Sequence, residues 1–251
     1  MVHFVGAGSG AADLITVRGA RLLGEADVII YAGSLVNPEL LGYAKPGAAL
    51  YNSAEMTLEA VLRVMSEAEA QKKTTVRLHT GDSSIFGAVR EQFDALDRLG
   101  IPYDVCPGVS SFCGAAASLK AEYTLPDVSQ TVIISRMEGR TPVPEREKIR
   151  DLARHGTTMV LFLSAGLLAG LQRELLAGGY PPDTPAAIVY KATWPDEKIL
   201  KCTVSTLAET ATAASISKTA LILVGQFLGE HYDRSCLYSP DFSTEFREAE
   251  R

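Results

Sequence analysis

The sequence predicts an α/β protein of two α/β domains, and three observations lead there. Short β-rich runs alternate with helical patterns through the first half, the alternation restarts near residue 130, and the summed strands are too many for one open sheet. The first set is "HFVGAG", "DVIIYA", "AALYNS", "TTVRLHT" and "PYDVC". Between its members, "TLEAVLRVMSEAEAQ" and "FGAVREQFDALDRLG" carry the spacing of amphipathic helices. This order calls for parallel strands joined by crossover helices. After "SLKAEYTLPDVSQ" come "TVIISR", "TMVLFLSAG", "AAIVYKAT", "KILKCTVST" and "ALILVGQFL". The boundary therefore falls between residues 120 and 130, giving domains 1–120 and 130–251. The closing "SCLYSPDFSTEFREAER" is aromatic and then charged, and reads as a docked tail with a frayed end.

Composition narrows the function classes. With 251 residues and 47% hydrophobic content the chain has ample material for a core. A net charge of −6 gives no general attraction to nucleic acid or to an anionic membrane. No apolar run approaches the roughly 18 residues of a membrane span, and no basic flank precedes an apolar signal core, so a cytoplasmic location is expected. Cys106, Cys113, Cys202 and Cys236 form no C-x-x-C pair and read as buried free thiols.

The stretch "VGAGSGAADLITVRG" raises the first chemical question. Gly6, Gly8 and Ala11 fit the permissive dinucleotide fingerprint, but the ribose-binding acid that should close the second strand is missing: Asp27 precedes that strand and Ala32-Gly33-Ser34 follow it. Two further glycine turns follow strands, "HTGDSSIFG" and "CPGVSSFCGAAAS". In a parallel sheet all three lie at the carboxyl edge, where open α/β sheets bind ligands. None is G-x-x-x-x-G-K-[ST] and none holds Lys or Arg, which argues against a triphosphate. A polar ligand poor in phosphate fits better, such as an adenosine bearing an amino-acid tail. Asp82 either accepts from a ribose, stabilises an ammonium or sulfonium, or caps the following helix.

Basic residues gather in "RMEGRTPVPEREKIRDLAR". Most of it reads as a solvated charged helix, but "RMEGRTPVPE" is a Pro-bounded loop from which Arg136 and Arg140 could clamp carboxylates. Arg77 and His79, on the strand leading into "TGDSS", are expected at the same cleft edge. The chain has no G-x-S-x-G elbow, no H-E-x-x-H, and only four histidines, so neither a nucleophile triad nor a metal site is expected.

With these motifs in order, the sequence resembles the tetrapyrrole (corrin and porphyrin) methylases. "VGAGSGAADLITVRG", "HTGDSSIFGAVREQ" and "PGVSSFCGAAASL" look like that family's three loops, and the resemblance runs to "LYSPDFSTEFR". The segments "YAGSLV", "YTLPDVSQTVI", "EGRTPVPE" and "VYKATWPDEKI" resemble the branch that methylates ring carbon C11 in cobalamin biosynthesis, more its cobalt-using form than the metal-free one. The resemblance implies two α/β domains with S-adenosylmethionine in the cleft between them, a tetrapyrrole substrate and a homodimer. It implies cofactor contacts from Ser9, Thr80, Gly81, Asp82, Ile85, Ser110, Ser111, Leu163 and Ala192, while Arg77, His79, Arg136 and Arg140 are candidate substrate holders by their charge and expected position. Ser9 stands where the family usually has proline, and Leu163 where it often has methionine. Another ring methylase of the family, a relative acting on a diphthine-type protein, and a non-catalytic adenosine or tetrapyrrole carrier are the alternatives.

Overall fold

Strands β1 (Val2–Gly6), β2 (Val28–Tyr31), β3 (Ala49–Asn52), β4 (Thr75–His79) and β5 (Tyr103–Cys106) pair in the order β3-β2-β4-β1-β5, and every pairing is parallel. The computed structural model describes residues 1–250. Helices α1 (Val17–Glu25), α2 (Leu58–Ala70), α3 (Arg90–Leu99) and α4 (Ser111–Leu119) belong to the same half of the chain. Thr16 and Thr57 start α1 and α2 by accepting the amides of Gly19 and Ala60. Alternation along the strands separates two packing faces. Val5, Ile29, Val76 and Leu78 meet Leu22 and Leu23 of α1, while Val2, Phe4, Val28 and Ile30 meet Val61 and Met65 of α2 and Leu96 of α3. Each fully buried aliphatic side chain contributes roughly 1.5–3 kcal/mol of transfer free energy.

The helix expected from Phe86 begins instead at Arg90. Phe86 and Ala88 have φ of +55° and +49°, and a Cβ on Gly87 would stand 2.1 Å from the Ser83 carbonyl oxygen. Residues 83–88 are thus wound into a tight turn that helical spacing alone cannot reveal.

Strands β6 (Val132–Arg136), β7 (Thr158–Phe162), β8 (Pro185–Tyr190), β9 (Lys198–Thr203) and β10 (Ala220–Val224) form a second sheet, in the order β6-β7-β10-β8-β9. It is not a repeat of the first. Only β6 and β7 are parallel; β10 runs antiparallel to both β7 and β8, and β9 antiparallel to β8. The link between β8 and β9 holds no helix, so those strands cannot make a parallel crossover. Helices α5 (Ile149–Ala153), α6 (Leu168–Ala177) and α7 (Leu207–Ala213) contribute Ile149, Leu171, Leu175 and Leu207 to a core with Met159, Leu161, Ile188 and Ile222.

The chain divides into two compact units, Met1–Ala115 with Ala192–Asp196, and Ala116–Lys191 with the chain from Glu197 on. The segment Ala192–Asp196, between β8 and β9, thus belongs with the first unit. Two expectations are corrected. Cys106 is buried and Cys202 half-buried, but Cys113 and Cys236 are exposed. In the tail, Tyr238 and Phe246 also stay exposed; the segment closes on itself through Arg247, whose Nη2 donates to the carbonyls of Leu237, Ser239 and Phe242. Among the described residues no helix is long and apolar enough to cross a membrane.

Candidate functional site

The three glycine turns meet at the carboxyl edge of the first sheet and are joined there by backbone. The Ala7 amide donates to the His79 carbonyl at 2.7 Å, and Gly8 and Gly81 exchange amide-to-carbonyl bonds of 3.3 and 3.0 Å. The third turn presses against both others: a Cβ on Gly108 would lie 2.2 Å from the Gly81 oxygen and 2.7 Å from the Gly6 Cα. Only glycine permits that approach. Asp82 fastens the contact, because its Oδ2 accepts the Gly108 amide at 2.7 Å while Oδ1 accepts the Ser84 amide at 2.9 Å. Burial pushes the Asp82 carboxyl up, but hydrogen bonds from the Ser84 hydroxyl and the Gly108 and Ser84 amides outweigh it and hold the group below the usual carboxylate range. Asp82 is therefore an ionised clasp between two loops and caps no helix.

The returning segment completes the first turn. Thr193 Oγ1 lies 3.0 Å from Ser9 Oγ and accepts the Ala11 amide at 3.1 Å, and Asn37 Nδ2 donates to the Gly10 carbonyl at 2.9 Å. A Cβ on Gly10 would stand 2.2 Å from Cδ1 of Trp194, and one on Gly114 would stand 2.6 Å from the Ser9 Cβ. Asn37 and Thr193 carried no signal in the sequence, since their partners lie far along the chain. A short 3-10 turn, Ala12–Leu14, separates the first glycine turn from α1. The turn therefore does not open directly into a helix as a pyrophosphate-binding turn does.

Of the expected cofactor residues, Ser9, Thr80, Gly81, Asp82, Ile85, Ser110, Ser111 and Ala192 all belong to the first unit. Ser9, Ser110 and Ala192 are buried, and the Thr80 hydroxyl is buried with no hydrogen-bond partner. Such an orphaned polar atom is the kind of group a ligand satisfies. Leu163 lies in the second unit just past β7, exposed and at a φ of +52°.

Arg77 and His79 are not at a cleft edge. Both side chains point into the helix-covered core, with 6% and 5% of their surface exposed. Arg77 donates to Gln92 Oε1 at 3.3 Å and to the Ile30 carbonyl at 3.1 Å, and burial lowers its pKa to about 10. His79 stacks on Phe4, its Nε2 has no partner, and burial together with the neighbouring Arg77 charge lowers its pKa to about 3. Two-residue periodicity placed these side chains on one face of β4; it did not say that α3 covers that face. In the second unit, Arg136 directs its guanidinium to backbone carbonyls of the following loop, and Arg140 is exposed.

The sequence profile of the tetrapyrrole (corrin/porphyrin) methylases matches residues 1–208. The chain belongs to this family. This tetrapyrrole methylase is 53% identical to a cobalt-precorrin-4 C(11)-methyltransferase of Methanocaldococcus jannaschii, over 100% of its own length and 97% of that protein. An X-ray structure of a cobalt-precorrin-4 methyltransferase of cobalamin biosynthesis superposes with a TM-score of 0.89 at 47% identity, covering 91% of this chain and 96% of that one. The uroporphyrin-III C-methyltransferase of Thermus thermophilus, solved with S-adenosylhomocysteine, superposes with a TM-score of 0.76 at 27% identity, covering 91% and 93%. Among the described residues no group of three or more His, Cys, Asp or Glu side chains is placed to hold a metal.

Proposed function

We propose that this tetrapyrrole methylase transfers a methyl group from S-adenosylmethionine to C11 of cobalt-precorrin-4, giving cobalt-precorrin-5, and that metal-free precorrin-4 is the less favoured substrate. The observation that carries the reading is the full-length identity of 53% to a protein of that activity. The match covers 100% of this chain and 97% of that protein, and the glycine contacts that join the three turns leave no room for most replacements.

The first unit fits the cofactor on its own chemistry. Its three turns contain no Lys or Arg, which suits a ligand without phosphate. The unpartnered Thr80 hydroxyl and the ionised Asp82 supply an acceptor and a negative charge beside backbone amides. Ser9, Thr80, Gly81, Asp82, Ile85, Ser110, Ser111 and Ala192 would hold the group, and Leu163 is kept in the set on the family resemblance. When bound, S-adenosylmethionine supplies an electrophilic methyl on a sulfonium centre.

The nucleophile belongs to the substrate, since C11 of a reduced tetrapyrrole is an electron-rich, enamine-like carbon. The protein's residues therefore align, exclude water and bind carboxylates, and no side chain is required to attack. Orientation of this kind supplies up to roughly 7–11 kcal/mol in the best-arranged cases. Arg140 is the proposed carboxylate holder; Arg77 and His79 are left out because both are buried in the sheet core. A homodimer in the cytoplasm completes the proposal. The test is incubation with S-adenosylmethionine and enzymatically prepared precorrin-4, with and without cobalt. Gain of one methyl mass, faster with cobalt, supports the reading, and no gain with either form refutes it.

A further inference from the structure

The loop after β6 is held by a side chain that the sequence offered as a substrate ligand. Arg136, half-buried at the end of β6, donates from Nη2 to the Pro142 carbonyl at 2.8 Å and from Nη1 to the Thr141 carbonyl at 3.2 Å. These are successive carbonyls, and the planar guanidinium grips them as a fork. The start of the loop is anchored separately. The Met137 amide donates to Ser164 Oγ at 2.8 Å, and that fully buried hydroxyl donates to the Phe162 carbonyl at 2.7 Å. Within the loop, the Glu138 carboxylate accepts the Val143 amide at 3.4 Å. Arg140 sits between these fixed points and is exposed.

Apolar surface accompanies that cation. Leu163, the residue before Ser164, is 69% exposed, and Leu167 is 37% exposed with its Cδ1 only 3.2 Å from where a Cβ on Gly139 would lie. A left-handed leucine is strained, so the fold holds this side chain outward against its backbone preference. An exposed arginine next in the chain to Gly139, which approaches the half-exposed Leu167, suits an apolar macrocycle with carboxylates at its rim.

We infer that Arg136 is a positioning residue that binds no substrate itself, but holds the 137–144 loop so that Arg140 meets a ring carboxylate. The inference rests on the functional reading above. Since Arg136 acts through Arg140, the losses caused by the two must overlap. Arg140→Ala raises the Michaelis constant for cobalt-precorrin-4 roughly tenfold, as expected for one charge-assisted contact. Arg136→Ala raises it by a similar factor, and the double variant stays near tenfold rather than the roughly hundredfold of independent sites. Arg136→Lys, whose ammonium cannot fork two carbonyls, falls between wild type and Arg136→Ala. Arg146→Ala, which removes a 90% exposed charge from the same basic segment, leaves the constant unchanged.

Limited trypsin digestion gives a readout independent of turnover. Cleavage after Arg140 is faster in Arg136→Ala than in wild type, because the loop has lost its clasp. Overlapping losses with faster cleavage support the inference. Wild-type turnover with multiplicative losses, or an unchanged cleavage rate, overturns it. If wild-type enzyme transfers no methyl to the ring, the functional reading fails first and the inference with it.

Discussion

Adding one methyl group at Gly108 tests whether the meeting of the three turns is built as described. In Gly108→Ala the new Cβ would stand 2.2 Å from the Gly81 oxygen, 2.7 Å from the Gly6 Cα and 2.8 Å from the Gly6 carbonyl carbon. All three neighbours are backbone, so no side chain can rotate away. Relief requires the third turn to withdraw, which also pulls the Gly108 amide off Asp82. Overpacking of this kind costs about 1–3 kcal/mol, and loss of a hydrogen bond to a charged group about 1.5–3. For a chain of this size the sum lowers the melting temperature by on the order of 10 °C. Scanning calorimetry reads the stability, and titration calorimetry with S-adenosylmethionine reads the site, where affinity falls at least about tenfold. Gly42→Ala is the control, since nothing lies within 4 Å of its Cβ position, and its effect stays within about 0.5 kcal/mol. A Gly108→Ala protein that melts and binds like wild type would refute the close approach.

Three further outcomes follow from single residues. Asp82→Asn replaces an acceptor with an amide that cannot satisfy both the Gly108 and Ser84 donors, so it loses about 1.5–3 kcal/mol by denaturant titration. Because the folded pKa of Asp82 is depressed, its contribution is present above the ordinary carboxylate value and disappears as pH falls below it. His79 has a folded pKa of about 3 against an ordinary 6.5, so between those values the unfolded chain binds the extra proton and stability falls with falling pH. That slope is at most about 1.4 kcal/mol per pH unit, and in His79→Leu the stability difference between pH 7 and pH 5 shrinks by roughly 2 kcal/mol. Leu163→Gly removes a left-handed strain of about 1–2 kcal/mol from an exposed position, more than the roughly 0.4–1 kcal/mol that a freer unfolded chain costs, so the free protein melts slightly higher than wild type; a lower melting temperature contradicts the strain.

What the sequence shows of this protein follows the range of each interaction. Strand alternation and glycine turns are local, so the parallel first sheet and its three carboxyl-edge loops were legible from "HFVGAG", "TVRLHTGD" and "CPGVSS". The direction of the second sheet was not, because β10 inserts between β7 and β8 by a pairing that no local pattern encodes. The same limit hid the return of Thr193 and Trp194 to the first turn. Arg77 and His79 failed for another reason. A charged residue in a strand reads as facing solvent, but Gln92 on α3 and the Ile30 carbonyl satisfy Arg77 inside the core, and sequence does not display those partners. Arg136 was recognised as a carboxylate-binding type, whereas its geometry commits it to carbonyls of its own loop.

The most direct measurement is the position of the transferred methyl. Purified protein is given S-adenosylmethionine labelled with carbon-13 in its methyl group and cobalt-precorrin-4, and the product is examined by carbon-13 NMR. One labelled methyl on C11 is the predicted result. A labelled methyl on any other ring carbon would contradict the account.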